Sequence, residues 1–238
     1  FAGVVTQIHP ETKTTFKVGD RVFGSTQGTY AEKLVCEPKS LLAVPPNLSF
    51  EQASGLFVTY PTSYAALKDR AGLKKGEWCL IHAAAGGNGA DYGVNYREKD
   101  WAAQVLKITE GKGVDVVYDP VGLINESLRC VAWSGRILVV GFAAGTIEKI
   151  AANRILLKNV SIVGVFWGSY GKYDVATVAR VWKELLVLFA EGKLVPVVYE
   201  KLYQGLDSVK TGLNDLAARK TFGKAVVVIG GAGATSKL

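Results

Sequence analysis

The sequence is 238 residues long, 49% apolar and 21% charged, with a net charge of +7; this is the balance of an ordinary globular chain, long enough for one large or two small domains. No apolar run reaches the roughly 18 residues of a membrane span, and three scattered cysteines (Cys36, Cys79, Cys130) with two histidines (His9, His82) argue against a disulfide framework or a zinc cluster. The lysines are spread along the chain, so the positive charge reads as solvated surface, and nucleic acid is not an expected partner.

In chain order, residues 1–45 read as β-rich, from short runs such as "FAGVVTQIH" and "GDRVFGSTQGTYAEKLVC" punctuated by Gly and Asp. Ser49 stands as a helix N-cap before "FEQASGLFVTYPTSYAAL", and Pro61 is predicted to divide that stretch into two short helices. Continuous apolar runs follow at 78–84, 92–96, 114–119, 136–142 and 160–167. Unbroken Val, Ile and Leu mean strands covered on both faces, which points to a parallel sheet. Helices are predicted between them near 100–110, 125–133 and 174–191. The last carries Val175, Val178, Val181, Trp182, Leu185 and Phe189 on one stripe and is closed by Gly192. This alternation predicts an α/β fold with a doubly wound nucleotide-binding sheet. The C-terminal "VPVVYEKLYQG", "LDSVKTGLNDLAARK" and "KAVVVI" read as strand, helix and strand, returning to the first domain.

The stretch "HAAAGGNG" (82–89) follows a strand pattern and offers Ala84-x-Gly86-x-x-Gly89 against the dinucleotide pattern G-x-G-x-x-G. Phosphate needs backbone N–H donors, and glycines let the chain approach closely enough to supply them. Later strands end in similarly open loops, "DPVG" (119–122) and "GFAAG" (141–145). In open α/β sheets ligands sit beyond the carboxyl ends of the strands. Gly86, Gly87 and Gly89 are therefore candidates for the pyrophosphate, with Pro120, Val121, Gly141, Phe142 and Ala143 lining the cofactor groove.

In "GEWCLIHAAAGGNG", "DVVYDPVG", "GRILVVGFAAG", "LLKNVSIVGVFWGSY" and "RKTFGKAVV", in that order, the chain resembles the zinc-free branch of the medium-chain dehydrogenase/reductase superfamily, the NADPH:quinone oxidoreductases related to zeta-crystallin. The resemblance implies a Rossmann-type doubly wound parallel sheet (residues 59–194) plus a GroES-like β-rich substrate domain (residues 1–58 with 195–238). It implies Thr62, Phe166 and Trp167 beside the nicotinamide, Tyr96 near an adenosine 2′-phosphate, and Lys224 as a further cofactor contact. It also implies a homodimer and metal-free hydride transfer from NADPH to a quinone. The alternatives are an enone or enoyl thioester acceptor, or a non-catalytic nucleotide- or RNA-binding relative. The family's polarising Asn and Tyr fall outside this sequence, so no catalytic residue is assigned. His82 reads as a core residue satisfied in its strand rather than a base.

The resemblance also exposes a seam. Only seven residues run from Ala85 to Asp91, whereas a parallel strand pair needs a crossover of a dozen or more. Roughly 30 residues, about one βαβ unit, are missing at Asn88 or Gly89, and the family's first strands would precede Phe1. A segment present but disordered is favoured over a true deletion; a true deletion implies weak dinucleotide binding and no enzyme. The chain ends Ser236-Lys237-Leu238 after a Gly/Ala-rich stretch, a receptor-read peroxisomal address. This implies an import receptor as partner and the peroxisomal matrix as location, with the cytoplasm as the alternative.

Overall fold

The computed structural model describes residues 1–84 and 89–230. Gly86, Gly87 and Ser236-Lys237-Leu238, singled out above, lie outside the described residues. In chain order the elements are β1 (Ala2–Val4), β2 (Arg21–Gly24), β3 (Leu41–Ala43), α1 (Phe50–Ser54), α2 (Thr59–Tyr64), β4 (Cys79–Ile81), α3 (Trp101–Ile108), β5 (Val114–Asp119), α4 (Ile124–Ser127), β6 (Val131–Val139), α5 (Ala152–Lys158), β7 (Ser161–Gly164), α6 (Tyr170–Tyr173), α7 (Val175–Ala190), β8 (Tyr203–Gln204), α8 (Val209–Ala217) and β9 (Val227–Val228). Two compact units emerge: residues 1–61 with 182–238, and residues 62–84 with 89–181.

The first unit is β-rich. Its antiparallel sheet has the order β1-β2-β3, and β8 pairs in parallel with β9. Phe23 of β2 is fully buried and meets Phe57 and Trp182 edge-on, with ring centroids 6.2 and 5.6 Å away. The Arg21 guanidinium lies 4.6 Å from the Phe50 ring centroid and donates to the Leu48 carbonyl at 2.7 Å. Ser49 forms the expected cap: its hydroxyl accepts from the Gln52 N–H, and the Gln52 side chain accepts from the Ser49 N–H. The predicted division of the helix lies earlier than expected, between Ser54 and Thr59. Pro61 sits in the first turn of α2, where an absent N–H costs no helical bond.

The second unit is an α/β layer built on a parallel sheet of order β4-β5-β6-β7. Alternate residues of each strand serve opposite faces. Val117 and Ile137 join Trp101, Val105, Ile124 and Leu128 in one core. Val116 and Leu138 join Ala66, Ala71 and Val165 in another. Helices thus cover both faces, which is the doubly wound arrangement the apolar runs predicted. Two elements differ from expectation. The helix predicted at 125–133 is only the single turn α4, because β6 begins at Val131 and runs further N-terminal than its predicted 136–142. Residues 92–96, read as a strand, form no strand at all.

The second difference has a backbone cause. A strand at 92–96 needs a neighbour, and β4 pairs only with β5 among the described residues. Residues 92–96 instead pack loosely: Tyr92 lies 5.8 Å from Trp78, and Val94 touches the core that contains Trp101. In the sequence Gly89 follows Asn88 directly, and among the described residues β4 keeps β5 as its one strand partner. The capping box gives the first test of the packing. Replacing Ser49 by Ala removes one side of it and is expected to cost about 1 kcal/mol, measured by urea denaturation; no change would mean that α1 draws its stability from Ala53 and Leu56 burial alone.

Candidate cofactor and substrate site

The carboxyl ends of β5 and β6 hold two loops against each other. Ala143 N–H donates to Pro120 O and Ala144 N–H to Val121 O, both at 3.0 Å. Gly141 fits closely here: a Cβ would lie 3.1 Å from Pro120 O, so any side chain would need that loop to shift by a few tenths of an ångström. Of the sequence-predicted residues, the structure therefore brings together Pro120, Val121, Gly141 and Ala143, in one pair of loops. Phe142 and Ala143 are exposed, Pro120 is half-buried, and Val121 is turned into the core.

Asp119, at the end of β5, shapes the first loop. Its carboxylate is buried and accepts from the backbone N–H groups of Val121, Gly122 and Leu123, at 2.8, 2.9 and 2.6 Å. An acceptor-only carboxylate satisfied by three donors holds the backbone in a fixed curl and offsets its own burial. Glu148 repeats the device downstream, accepting from Ile124 N–H and Asn125 N–H. Asp119 was not among the residues expected at the site, although an Asp before Pro at a strand end is a turn signal in the sequence.

His82 directly follows β4 and is buried. Ser127 donates its hydroxyl proton to Leu123 O at 2.7 Å, so the 2.8 Å contact between His82 Nε2 and Ser127 Oγ has His82 as donor. The ring stands edge-on to Trp101. Ser127 has spent its proton on the backbone, so this pair is a structural bond rather than a nucleophile and base. Burial holds His82 below its ordinary value of 6.5, with Asp119 and Glu148 opposing.

The other candidates are dispersed. Gly89 has φ +98° with open space about its Cα, and Tyr96 is partly exposed on the irregular segment. Thr62 is half-buried in α2, and its neighbour Ser63 bonds the Tyr118 hydroxyl at 3.0 Å. Phe166 is 74% exposed, and Trp167 stacks on Tyr170. Phe166 borders a hollow of about 310 Å³ with Arg70, Tyr170 and Tyr173. In the β-rich unit, Lys224 lines a cavity of about 270 Å³ with Ser54, Phe57, Thr59 and Val226. Its stem presses on Gly55, where a Cβ would lie 2.6 Å from Lys224 Cγ. Burial lowers its pKa. Gly55 and this cavity were not legible beforehand, because the approach joins segments about 170 residues apart.

A family model described as zinc-binding dehydrogenase matches residues 82–186. Quinone oxidoreductase-like protein 2 homolog of Nematostella vectensis is 32% identical, covering 90% of this chain and 68% of that protein. That alignment runs over 249 residues, more than the 238 of the whole chain, so the relative carries internal residues that are missing here. Among solved structures, quinone oxidoreductase of Pseudomonas syringae pv. tomato DC3000 superposes with a TM-score of 0.82 at 30% identity, covering 95% of this chain and 80% of that one. Escherichia coli quinone oxidoreductase complexed with NADPH gives 0.84 at 26% identity, with the same coverage.

Two outcomes follow from the buried groups. Asp119→Ala strands three N–H donors and should destabilise the second unit by about 3 kcal/mol, with Asp119→Asn recovering part; calorimetry of both variants checks this. For His82 the folded state disfavours the proton, so its contribution is present above pH 6.5 and is lost as pH falls through the lower folded value. Denaturation midpoints should fall in mildly acidic buffer, and His82→Gln should flatten that slope; an unchanged slope would place the acid sensitivity elsewhere.

Proposed function

Because the chain belongs to the quinone oxidoreductase-like family of medium-chain dehydrogenase/reductases, we propose that it is an NADPH-dependent, metal-free oxidoreductase that passes hydride to a quinone. The observation that carries this reading is the pair of loops at the carboxyl ends of β5 and β6, locked together through Pro120, Gly141 and Ala143 at the place where an open α/β sheet takes a nucleotide. The nicotinamide supplies the hydride when bound. Pro120 and Gly141 leave room for it, the exposed Phe142 offers an apolar edge, and Asp119 keeps the loop from collapsing into the space. The reaction proposed is one run by positioning rather than by a reactive side chain.

The grip is lopsided. The loops of β5 and β6 serve one end of a dinucleotide. The other end would rest beside β4, where among the described residues no further strand carries a loop. We expect NADPH to bind with a Kd on the order of 1 mM, and turnover to be slow and unsaturated at ordinary cofactor concentrations. Fluorescence titration with NADPH, then loss of NADPH absorbance on adding a quinone or an enone, tests both points. Quinone turnover that rises linearly with NADPH supports the proposal, and preferential turnover of the enone transfers the reading to that acceptor. No oxidation of saturating NADPH by either acceptor would remove the enzyme reading altogether.

The location follows from Ser236-Lys237-Leu238 and belongs to the same proposal. A fluorescent protein fused before Phe1 should enter peroxisomes, and deleting Leu238 should leave it in the cytoplasm. Identical distributions of the two fusions would sink the peroxisomal assignment.

A further inference from the structure

The cavity of about 270 Å³ in the β-rich unit has one lysine in its wall, and that lysine is held by backbone and stem alike. Lys224 N–H donates to Val197 O at 3.0 Å, and its carbonyl accepts from Tyr199 N–H at 2.9 Å, in a parallel bridge with Val198. Gly223 before it has φ +62°, and a Cβ there would lie 2.6 Å from Val197 O, so glycine is what lets the two segments meet. The stem then lies along Gly55, where a Cβ would fall 2.6 Å from Lys224 Cγ. A backbone pinned on both sides and a stem laid against a glycine leave the amine little freedom.

That amine has nothing to pair with. Among the described residues it makes no hydrogen bond and no ion pair, and no Asp or Glu lines the cavity. Ser54 and Thr59 spend their hydroxyl protons on Glu51 O and Gly55 O, at 2.9 and 3.2 Å, while Phe57 and Val226 supply apolar wall. Burial lowers the Lys224 pKa with no charged neighbour to oppose it. Other lysines of this unit are placed differently: Lys201 and Lys220 share Asp215, and Lys193 holds Glu191. A lysine that is held still, desolvated and short of a counter-ion has the character of a nucleophile.

We propose that Lys224 is a covalent site for small apolar aldehydes, which it takes up as an imine inside this cavity. The neutral amine adds its lone pair to the carbonyl carbon and gives a carbinolamine. The carbon–oxygen bond then breaks, both amine protons leave with that oxygen as water, and a C=N bond remains. No electrons are gained or lost, so the step needs no oxidant, reductant or cofactor, and hydrolysis reverses it. The cavity is smaller than the pockets that hold drug-sized ligands, so it suits a short chain, and its Phe57 and Val226 walls favour an apolar one. The site lies wholly in the β-rich unit and uses none of the rim on β5 and β6, so it stands or falls independently of the hydride reading.

The test incubates the full chain with butanal, traps the imine with cyanoborohydride and locates it by peptide mass spectrometry. At neutral pH Lys224 should be labelled at least about tenfold faster than the exposed Lys75 and Lys99. Its rate should also level off at a lower pH than theirs, because burial frees its amine of the proton sooner. A pyrene carbaldehyde, too bulky for the cavity, should show no preference for Lys224. Ser25→Asp, at an exposed position of the wall, gives the amine a counter-charge and should slow its labelling about fivefold. Gly55→Ala displaces the stem and should slow it too, and circular dichroism checks that both variants fold. Three results would overturn the proposal: labelling of Lys224 no faster than that of Lys75 and Lys99, equal preference from the pyrene aldehyde, or a folded Ser25→Asp chain that labels as fast as the wild type.

Discussion

A strand in the middle of a sheet has to hand its backbone bonds to neighbours on both edges, and most of this molecule follows from where that condition is met. β5 and β6 meet it. They are flanked on both sides, their residues alternate between two apolar cores, and their ends carry the locked pair of loops. β4 meets it on one edge only. The loose run at 92–96 and the exposure of Ile81 both trace to that one unsatisfied edge. An unpaired backbone group in water is cheap, but burying it without a partner costs as much as a lost hydrogen bond. The chain thus leaves the edge open rather than folding residues 92–96 over it.

At the other end of the sheet the controlling interactions are electrostatic. Asp119 and Glu148 each place a carboxylate where several backbone N–H groups converge, and each fixes a turn that apolar packing alone would leave free. His82 sits between these charges and the Trp101 ring, and its neutrality is part of the core rather than part of any chemistry. The second unit therefore has a rigid carboxyl rim on β5 and β6. A site that works by holding two reactants in register needs that rigidity more than it needs a reactive side chain.

What the sequence made legible divides along the same line. The run at 114–119 was read to the residue as a strand, because six consecutive residues of β character lie between turn signals. α7 was read from its stripe: Val181, Trp182, Leu185 and Phe189 are buried as expected, Gly192 closes the helix with φ +67°, and only Val175 is left exposed. The loops at Pro120 and Gly141 were legible because glycine and proline after a strand have few other uses. Residues 92–96 were misread for a nonlocal reason: "YGVNY" has the composition of a strand, and a strand exists only where a neighbour offers its backbone. The helix at 125–133 was misread because its apolar residues fit either period, and pairing with β5 decided for β6. Lys224 against Gly55 was invisible, since nothing in either segment announces the other.

The open edge of β4 and the rim of β5 and β6 belong to one sheet yet answer to different constraints. The rim is set by carboxylates that collect backbone N–H groups, and it would keep its shape with or without a second neighbour for β4. The edge is set by the want, among the described residues, of a strand to receive its outward bonds. Polar groups that the fold cannot pair stay cheap only while water reaches them, which is why the chain concentrates its buried polar groups at the rim, where every one of them has a partner, and leaves the unpaired ones at the edge.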